Sequence, residues 1–283
     1  MPLAAPKGGG PVRPAAFFLY VLCMTVELNF SEYGEPTAPP LLILHGFLGA
    51  SGNWHTLSRN VFSRTHHVFA LDLRNHGDSP HASEFDLPSM ARDVRHFIEE
   101  RDLPPVDLIG HSMGGKVGME LAIQHPDLIR RLVVVDIAPG AGDGGHESIL
   151  GALQSVDLSG PTSRDEVDRH LSARISSKPI RQFLLKNLRS AGDNMYEWKN
   201  NLPVLAAGYP RINEPVIDGV FEGPTLVISG ERSPYIRESD RQEFSNRFPN
   251  VRMEVVTGAG HWVHAENPDE FSAKVLDFLD SER

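Results

Sequence analysis

Along this chain, short apolar runs alternate with longer stretches in which apolar residues recur at helical spacing. Val26, Leu28 and Phe30 alternate with their neighbours, as a half-buried strand does. Leu41 to Leu44 is a continuous apolar run, the mark of a strand buried on both faces. Val68 to Leu73 is another, and the turn Arg74-Asn75-His76-Gly77 follows it. Leu87, Met90, Val94, Phe97 and Ile98 then fall on one helical face. Val106 to Ile109 predicts the next strand, Val117, Leu121 and Leu128 a helix, and Leu132 to Ile137 a further strand. Strands that alternate with helices predict an α/β fold, a mostly parallel sheet with helices on both faces.

The rhythm breaks between about residues 139 and 222. Gly140, Gly142, Gly144 and Gly145 open this stretch, and helical patterns around 167–175 and 180–188 follow, with no clear buried strand. The pattern predicts a helical cap inserted between two parts of one core, 24–138 and 223–283. Strand rhythm returns with Thr225 to Ile228 and Val251 to Val256. The last helix has a clear start, with Asn267 at N-cap, Pro268 at N1 and Glu270 at N3. Phe271, Val275, Phe278 and Leu279 then line one face.

A length of 283 residues suits one large α/β domain with an insertion. The formal net charge of −10 disfavours nucleic acid and anionic lipid as partners. The single cysteine, Cys23, cannot form an intrachain disulfide. The 13 histidines are scattered; His261 and His264 could share a helix face, but no third ligand stands nearby at zinc spacing, so no metal is expected. Lys7 and Arg13 precede an apolar run from Ala15 to Cys23 that is too short to span a bilayer. It reads either as a weak signal-like segment, which would mean export, or as an extension upstream of a natural start at Met24. The second reading is favoured, with a cytoplasmic protein as its consequence.

Three motifs carry chemistry. Gly110-His111-Ser112-Met113-Gly114 lies directly between a strand and a helix, the context of a nucleophile elbow, which presents Ser112 above the sheet. The plain alternative is a glycine-rich turn. His45-Gly46-Phe47 follows the Leu41–Leu44 strand, so the backbone N–H groups of Phe47 and Met113 are the candidate oxyanion donors. Gly258-Ala259-Gly260-His261-Trp262 follows the Val251–Val256 strand, which makes His261 the candidate base that activates the serine. His264 is its competitor, two residues beyond that turn.

These motifs resemble the α/β-hydrolase superfamily from about residue 24 to the end. Asp72-Leu73-Arg74-Asn75-His76-Gly77-Asp78-Ser79-Pro80-His81, Val135-Asp136-Ile137-Ala138-Pro139 and Ser233-Pro234-Tyr235 are similar to the YbfF-type esterases and their mitochondrial abhydrolase relatives. The resemblance implies a serine hydrolase of small acyl esters or thioesters that needs no cofactor. A serine at the elbow sets aside the epoxide hydrolases and dehalogenases, which resemble this fold with aspartate there. A perhydrolase, a carbon–carbon bond hydrolase and a ligand-binding receptor of the same fold stay open. The residues Arg74 to Asp78 read either as a loop lining the site or as a turn held by side-chain hydrogen bonds.

In most of that superfamily the triad acid follows the penultimate strand. Here the corresponding text is Gly230-Glu231-Arg232-Ser233-Pro234, and Ser233 has no charge with which to stabilise imidazolium. Asp136 lies at the end of the preceding core strand, 24 residues after Ser112, and resembles the acid of the YbfF-type subgroup. Asp136 is therefore the candidate acid and Glu231 the runner-up. The bland reading is that Asp136 only caps the loop that enters the insertion.

Overall fold

The structure is a computed structural model and describes residues 25–160, 162–192 and 194–281. The expectations for residues 1–23 fall outside the described residues. The chain runs β1 (Phe30–Tyr33), β2 (Pro40–Leu44), α1 (His55–Asn60), β3 (His67–Leu71), α2 (Leu87–Glu100), β4 (Val106–His111), α3 (Met113–Gln124) and β5 (Ile129–Val135). It continues through α4 (Glu147–Gln154), α5 (Arg164–Ser172), α6 (Lys178–Leu185), β6 (Leu188–Gly192), β7 (Met195–Trp198) and α7 (Leu202–Ile212). It ends with β8 (Thr225–Gly230), α8 (Asp240–Arg247), β9 (Val251–Val256), α9 (Val263–Glu266) and α10 (Pro268–Asp280).

Seven strands form one sheet in the order β1-β3-β2-β4-β5-β8-β9. Only β1 pairs antiparallel, against β3; the other pairs are parallel. Every residue of β2, β3 and β4 is buried, which is why these strands read as unbroken apolar runs. Side chains alternate between two cores. Leu42, Leu44, Leu108 and Val134 pack with Met90 and Val94 of α2 and Val117 and Leu121 of α3. Leu41, Ile43, Ile109, Val133 and Val135 pack with Trp54 and with Phe271, Val275 and Phe278 of α10. Each such aliphatic side chain contributes about 1.5–3 kcal/mol on burial. After β2 the chain steps to β3 on one side and then crosses to β4 on the other, so the carboxyl ends of β2 and β4 flank a topological switch point, the usual place for a ligand crevice in open α/β sheets.

Two expectations need correction. Residues 25–29 are not strand; the first strand is Phe30–Tyr33. The amides of Val26 and Asn29 are taken by the side chains of Asp93 (3.0 Å) and Ser79 (2.8 Å), which replace a strand partner. The stretch between β5 and β8 also holds an antiparallel hairpin, β6 with β7, besides its four helices. All of β6 except Leu188 is exposed, so no apolar alternation announces it.

Both ends of this stretch rest on α3. Lys116 Nζ donates to the carbonyls of Gly140 (2.7 Å) and Glu214 (2.7 Å), and at 3.4 Å to that of Asn213. One turn further on, Glu120 Oε2 accepts from the amide of Ile217 at 2.8 Å. Burial pushes the Lys116 ammonium down to about 8. Among the described residues, no helix is long and apolar enough to cross a membrane.

Behind the switch point, Arg74 grips Asp93 of α2 through Nε (2.6 Å) and Nη2 (2.8 Å), with both side chains buried. Removing one partner leaves an uncompensated buried charge. Asp93→Ala should therefore destabilise the protein by about 3–5 kcal/mol in urea unfolding. A loss below about 1 kcal/mol would show that the pair carries no such weight.

Candidate active site

β4 ends at His111 and α3 begins at Met113, so the chain turns from strand to helix at a single residue. That residue, Ser112, has φ +53° and ψ −119°, a sparsely populated conformation that costs about 1–3 kcal/mol. The flanking glycines are required by contact. A Cβ on Gly110 would lie 2.2 Å from the carbonyl oxygen of Gly114, and one on Gly114 would lie 2.6 Å from that of Leu44.

Three strand ends bring three side chains together. Ser112 follows β4, Asp136 follows β5, and His261 follows β9 after a turn at Gly258 (φ +66°). His261 Nε2 lies 3.1 Å from Ser112 Oγ, and His261 Nδ1 lies 2.7 Å from Asp136 Oδ2. A carboxylate accepts only, so Nδ1 carries the proton and the Nε2 lone pair faces the serine hydroxyl. Asp136 has no exposed surface. Its Oδ1 accepts from the Gly230 amide at 3.1 Å, and Ser233 Oγ donates to its Oδ2. Ser233 thus stands beside Asp136 as a hydrogen-bond donor. Tyr235 stacks on the His261 ring at 3.9 Å between centroids and 20° between planes. Behind this ring, His111 Nε2 lies 2.9 Å from the His261 carbonyl. Burial keeps His111 neutral, well below its ordinary value, so Nε2 is the donor.

The competitors go elsewhere. Glu231 accepts from the Gly258 amide at 2.7 Å, which directs it away from the His261 ring and toward the turn that carries it. His264 stacks on Trp54 at 4.2 Å between centroids, and burial lowers it to about 3.

The backbone N–H groups of Phe47 and Met113 have no acceptor among the described residues. Two buried histidines hold the loop that carries Phe47. The Leu73 amide donates to His45 Nε2 at 3.0 Å, so His45 Nδ1–H donates to the Gly46 carbonyl at 2.8 Å. The Leu48 amide donates to His76 Nε2 at 3.2 Å, so His76 Nδ1–H donates to the Arg74 carbonyl at 3.0 Å. Burial lowers both rings, His76 to about 3. Residues 74–78 do not line the space around Ser112. They form the turn reading of this segment, in which Asn75 Oδ1 accepts from the Ala82 amide at 2.9 Å. The roles of His76 and Tyr235 were not readable in advance. Ring stacking and a histidine acting as acceptor have no spacing signature.

Two cavities meet at Ser112. The larger, about 520 Å³, is walled mainly by apolar side chains such as Leu48, Trp54, Ile149, Ile180 and Phe183. The smaller, about 260 Å³, lies against Met113, Ala141 and Ile212, with Lys116 and Arg237 in its wall. Ser112, Phe47, His146 and Tyr235 border both. Among the described residues, no three His, Cys, Asp or Glu side chains converge as a metal site. The arrangement as a whole can deprotonate a serine and shelter an anion beside it, which is the equipment of acyl transfer.

Residues 41–274 match the alpha/beta hydrolase family. The chain is 37% identical over 259 residues to the sn-1-specific diacylglycerol lipase ABHD11 of Mus musculus, covering 87% of this chain and 82% of that protein. It is 34% identical over 241 residues to esterase YbfF of Escherichia coli, covering 85% of this chain and 92% of that protein. Among solved structures, a marine microorganism esterase superposes with a TM-score of 0.87 at 38% identity, covering 90% of this chain and all of that one.

The neutral histidines around the Phe47 loop set a pH dependence. A histidine lowered in the folded state binds its proton more readily when unfolded. Its contribution to stability is complete above the unfolded value of about 6.5 and is lost as pH falls toward the folded value, about 3 for His76. Unfolding free energy should thus decline from pH 7 to pH 4, by up to about 1.4 kcal/mol per pH unit for each such ring. His76→Gln should flatten that decline by about one ring's share. An unchanged slope in urea titrations would contradict the assignment.

Proposed function

Because the chain belongs to the alpha/beta hydrolase family and acts on carboxylic esters, we propose that Ser112, His261 and Asp136 form its catalytic triad. The observation that carries this reading is the continuous chain of contacts from Ser112 Oγ through His261 to Asp136, at 3.1 and 2.7 Å. Ser112 attacks the ester carbonyl while His261 Nε2 takes its proton. Asp136 holds the ring in the Nδ1–H tautomer and stabilises the imidazolium that forms. The Phe47 and Met113 amides receive the oxyanion, and their lack of other acceptors supports that role. His261 then protonates the leaving alcohol, and water releases the acyl group by the same steps in reverse. No step needs a cofactor.

The stretch from about 139 to 222 supplies wall residues to both cavities, which supports its role as a cap that shapes substrate binding. Small acyl esters and thioesters are the substrates of this reading, and the protein works in the cytoplasm.

Three enzymes test it on one short acyl ester. In Ser112→Ala, turnover and labelling by a fluorophosphonate should both vanish. Asp136→Asn should lower kcat by around 10³–10⁴-fold, as in other triads, because an amide does not enforce the tautomer. Glu231→Gln should cost far less, since among the described residues the Glu231 side chain supports only the Gly258 amide. Near-normal turnover in Asp136→Asn together with collapse in Glu231→Gln would reverse the assignment of the acid.

A further inference from the structure

The two cavities differ in which part of the catalytic machinery they touch. His261 borders the larger and is absent from the wall of the smaller; Met113 borders the smaller and is absent from the wall of the larger. This asymmetry has a chemical meaning. In the acylation step the Ser112 Oγ–carbon bond forms and the carbon–alkoxide bond then breaks. The proton taken from Ser112 passes through His261 Nε2 to the departing alkoxide oxygen. That oxygen must therefore lie within hydrogen-bond reach of His261. The carbonyl oxygen is held on the other side, at Phe47 and Met113. The acyl chain takes the remaining direction, away from the histidine.

We propose, resting on the triad reading, that the alcohol portion of the ester occupies the larger apolar cavity and the acyl portion the smaller one. The natural substrate class is then a short-acyl ester of a bulky apolar alcohol. The smaller cavity has half the volume of the larger, about 260 against 520 Å³, and, where the larger has Lys186 and Glu266, its wall includes Lys116, Asp143, Arg237 and Asp240. A long acyl chain would have to run past those groups. The larger cavity offers Trp54, Ile149, Ile180 and Phe183 to an alkyl or aryl alcohol. Deacylation follows the same geometry. Once the alcohol has left, the emptied larger cavity admits the water that His261 activates, while the acyl group stays out of its path.

The test uses isomeric esters, so that composition and overall hydrophobicity stay matched while the position of the ester group moves. Octyl acetate carries the chain on the alcohol, and methyl nonanoate carries it on the acyl group. The wild-type enzyme should turn over octyl acetate with kcat/KM about tenfold or more above that of methyl nonanoate, the scale on which pockets discriminate hydrocarbon. Two substitutions divide the cavities. Ala141→Phe, at an exposed position in the wall of the smaller cavity alone, should lower the ratio of methyl butyrate to methyl acetate turnover about tenfold while the ratio of octyl to methyl acetate stays within twofold. Ile149→Trp, in the wall of the larger cavity alone, should do the converse. Circular dichroism and fluorophosphonate labelling at Ser112 confirm that each variant is folded and competent. A preference for methyl nonanoate, or an exchange of the two variants' effects, would overturn the partition and leave the triad standing. Failure to turn over any of these esters, with no label on Ser112, would bring down the triad reading and the partition together.

Discussion

A carboxylate shut away from water is the constraint around which this molecule is arranged. Asp136 has no exposed surface, and a buried charge is tolerated only when its lone pairs are met by donors. Three donors meet it, and each comes from a different place in the chain: His261 Nδ1 after β9, the Gly230 amide at the end of β8, and Ser233 Oγ just beyond. They converge because β5, β8 and β9 are consecutive neighbours in the sheet. The same burial that makes the carboxylate costly strengthens its hold on the imidazole, since little water competes for it. Asp136 also takes φ +56°, and its amide still donates to the Ile228 carbonyl at 2.8 Å, so the ladder continues one residue past β5 as the chain bends.

The other side of the site follows a different rule. Asp72 Oδ1 holds the end of the Phe47 loop through the Ser51 amide at 2.6 Å, while two neutral rings hold the residues around Phe47 itself, each accepting one backbone amide and donating to one backbone carbonyl. A neutral imidazole suits this position because it satisfies a donor and an acceptor together without adding a second charge. Ser112 therefore stands between a buried carboxylate on one side and two neutral rings on the other.

Much of this was legible in the sequence, and the reasons are particular. Continuous apolar runs such as Leu41–Leu44 exist because both faces of those strands are covered, so they stand out as text. Gly110 and Gly114 were visible because backbone lies where a Cβ would go, a demand only one residue type meets. The nearness of Asp136 to His261 was an expectation that rested on its place at the end of β5 and on the resemblance to the YbfF-type subgroup, with Ser233 in the position usual for the acid. The features that are not legible lack such a signature. The β6–β7 hairpin is mostly exposed and lies outside the main sheet. The segment before β1 spends its amides on side chains from residues 79 and 93, contacts that no local pattern encodes. Tyr235 and His76 act through ring faces and lone pairs set by the finished fold.

The base of the insertion has an evolutionary corollary. Lys116 gathers the carbonyls of Gly140, Asn213 and Glu214 onto one ammonium, so the segment leaves and re-enters the core at neighbouring points. Insertions whose ends lie close together are the ones that domains accept most readily, because the host chain closes across the gap with little rearrangement. The helix that carries Lys116 begins at the residue after Ser112. The scaffold thus behaves as a socket: segments of other lengths could be exchanged between Gly140 and Glu214 while the strand ends that hold the serine, the histidine and the aspartate keep their places. The cavity walls drawn from this segment and the strand ends that carry Ser112, Asp136 and His261 thus lie in separable parts of one chain, free to diverge at different speeds.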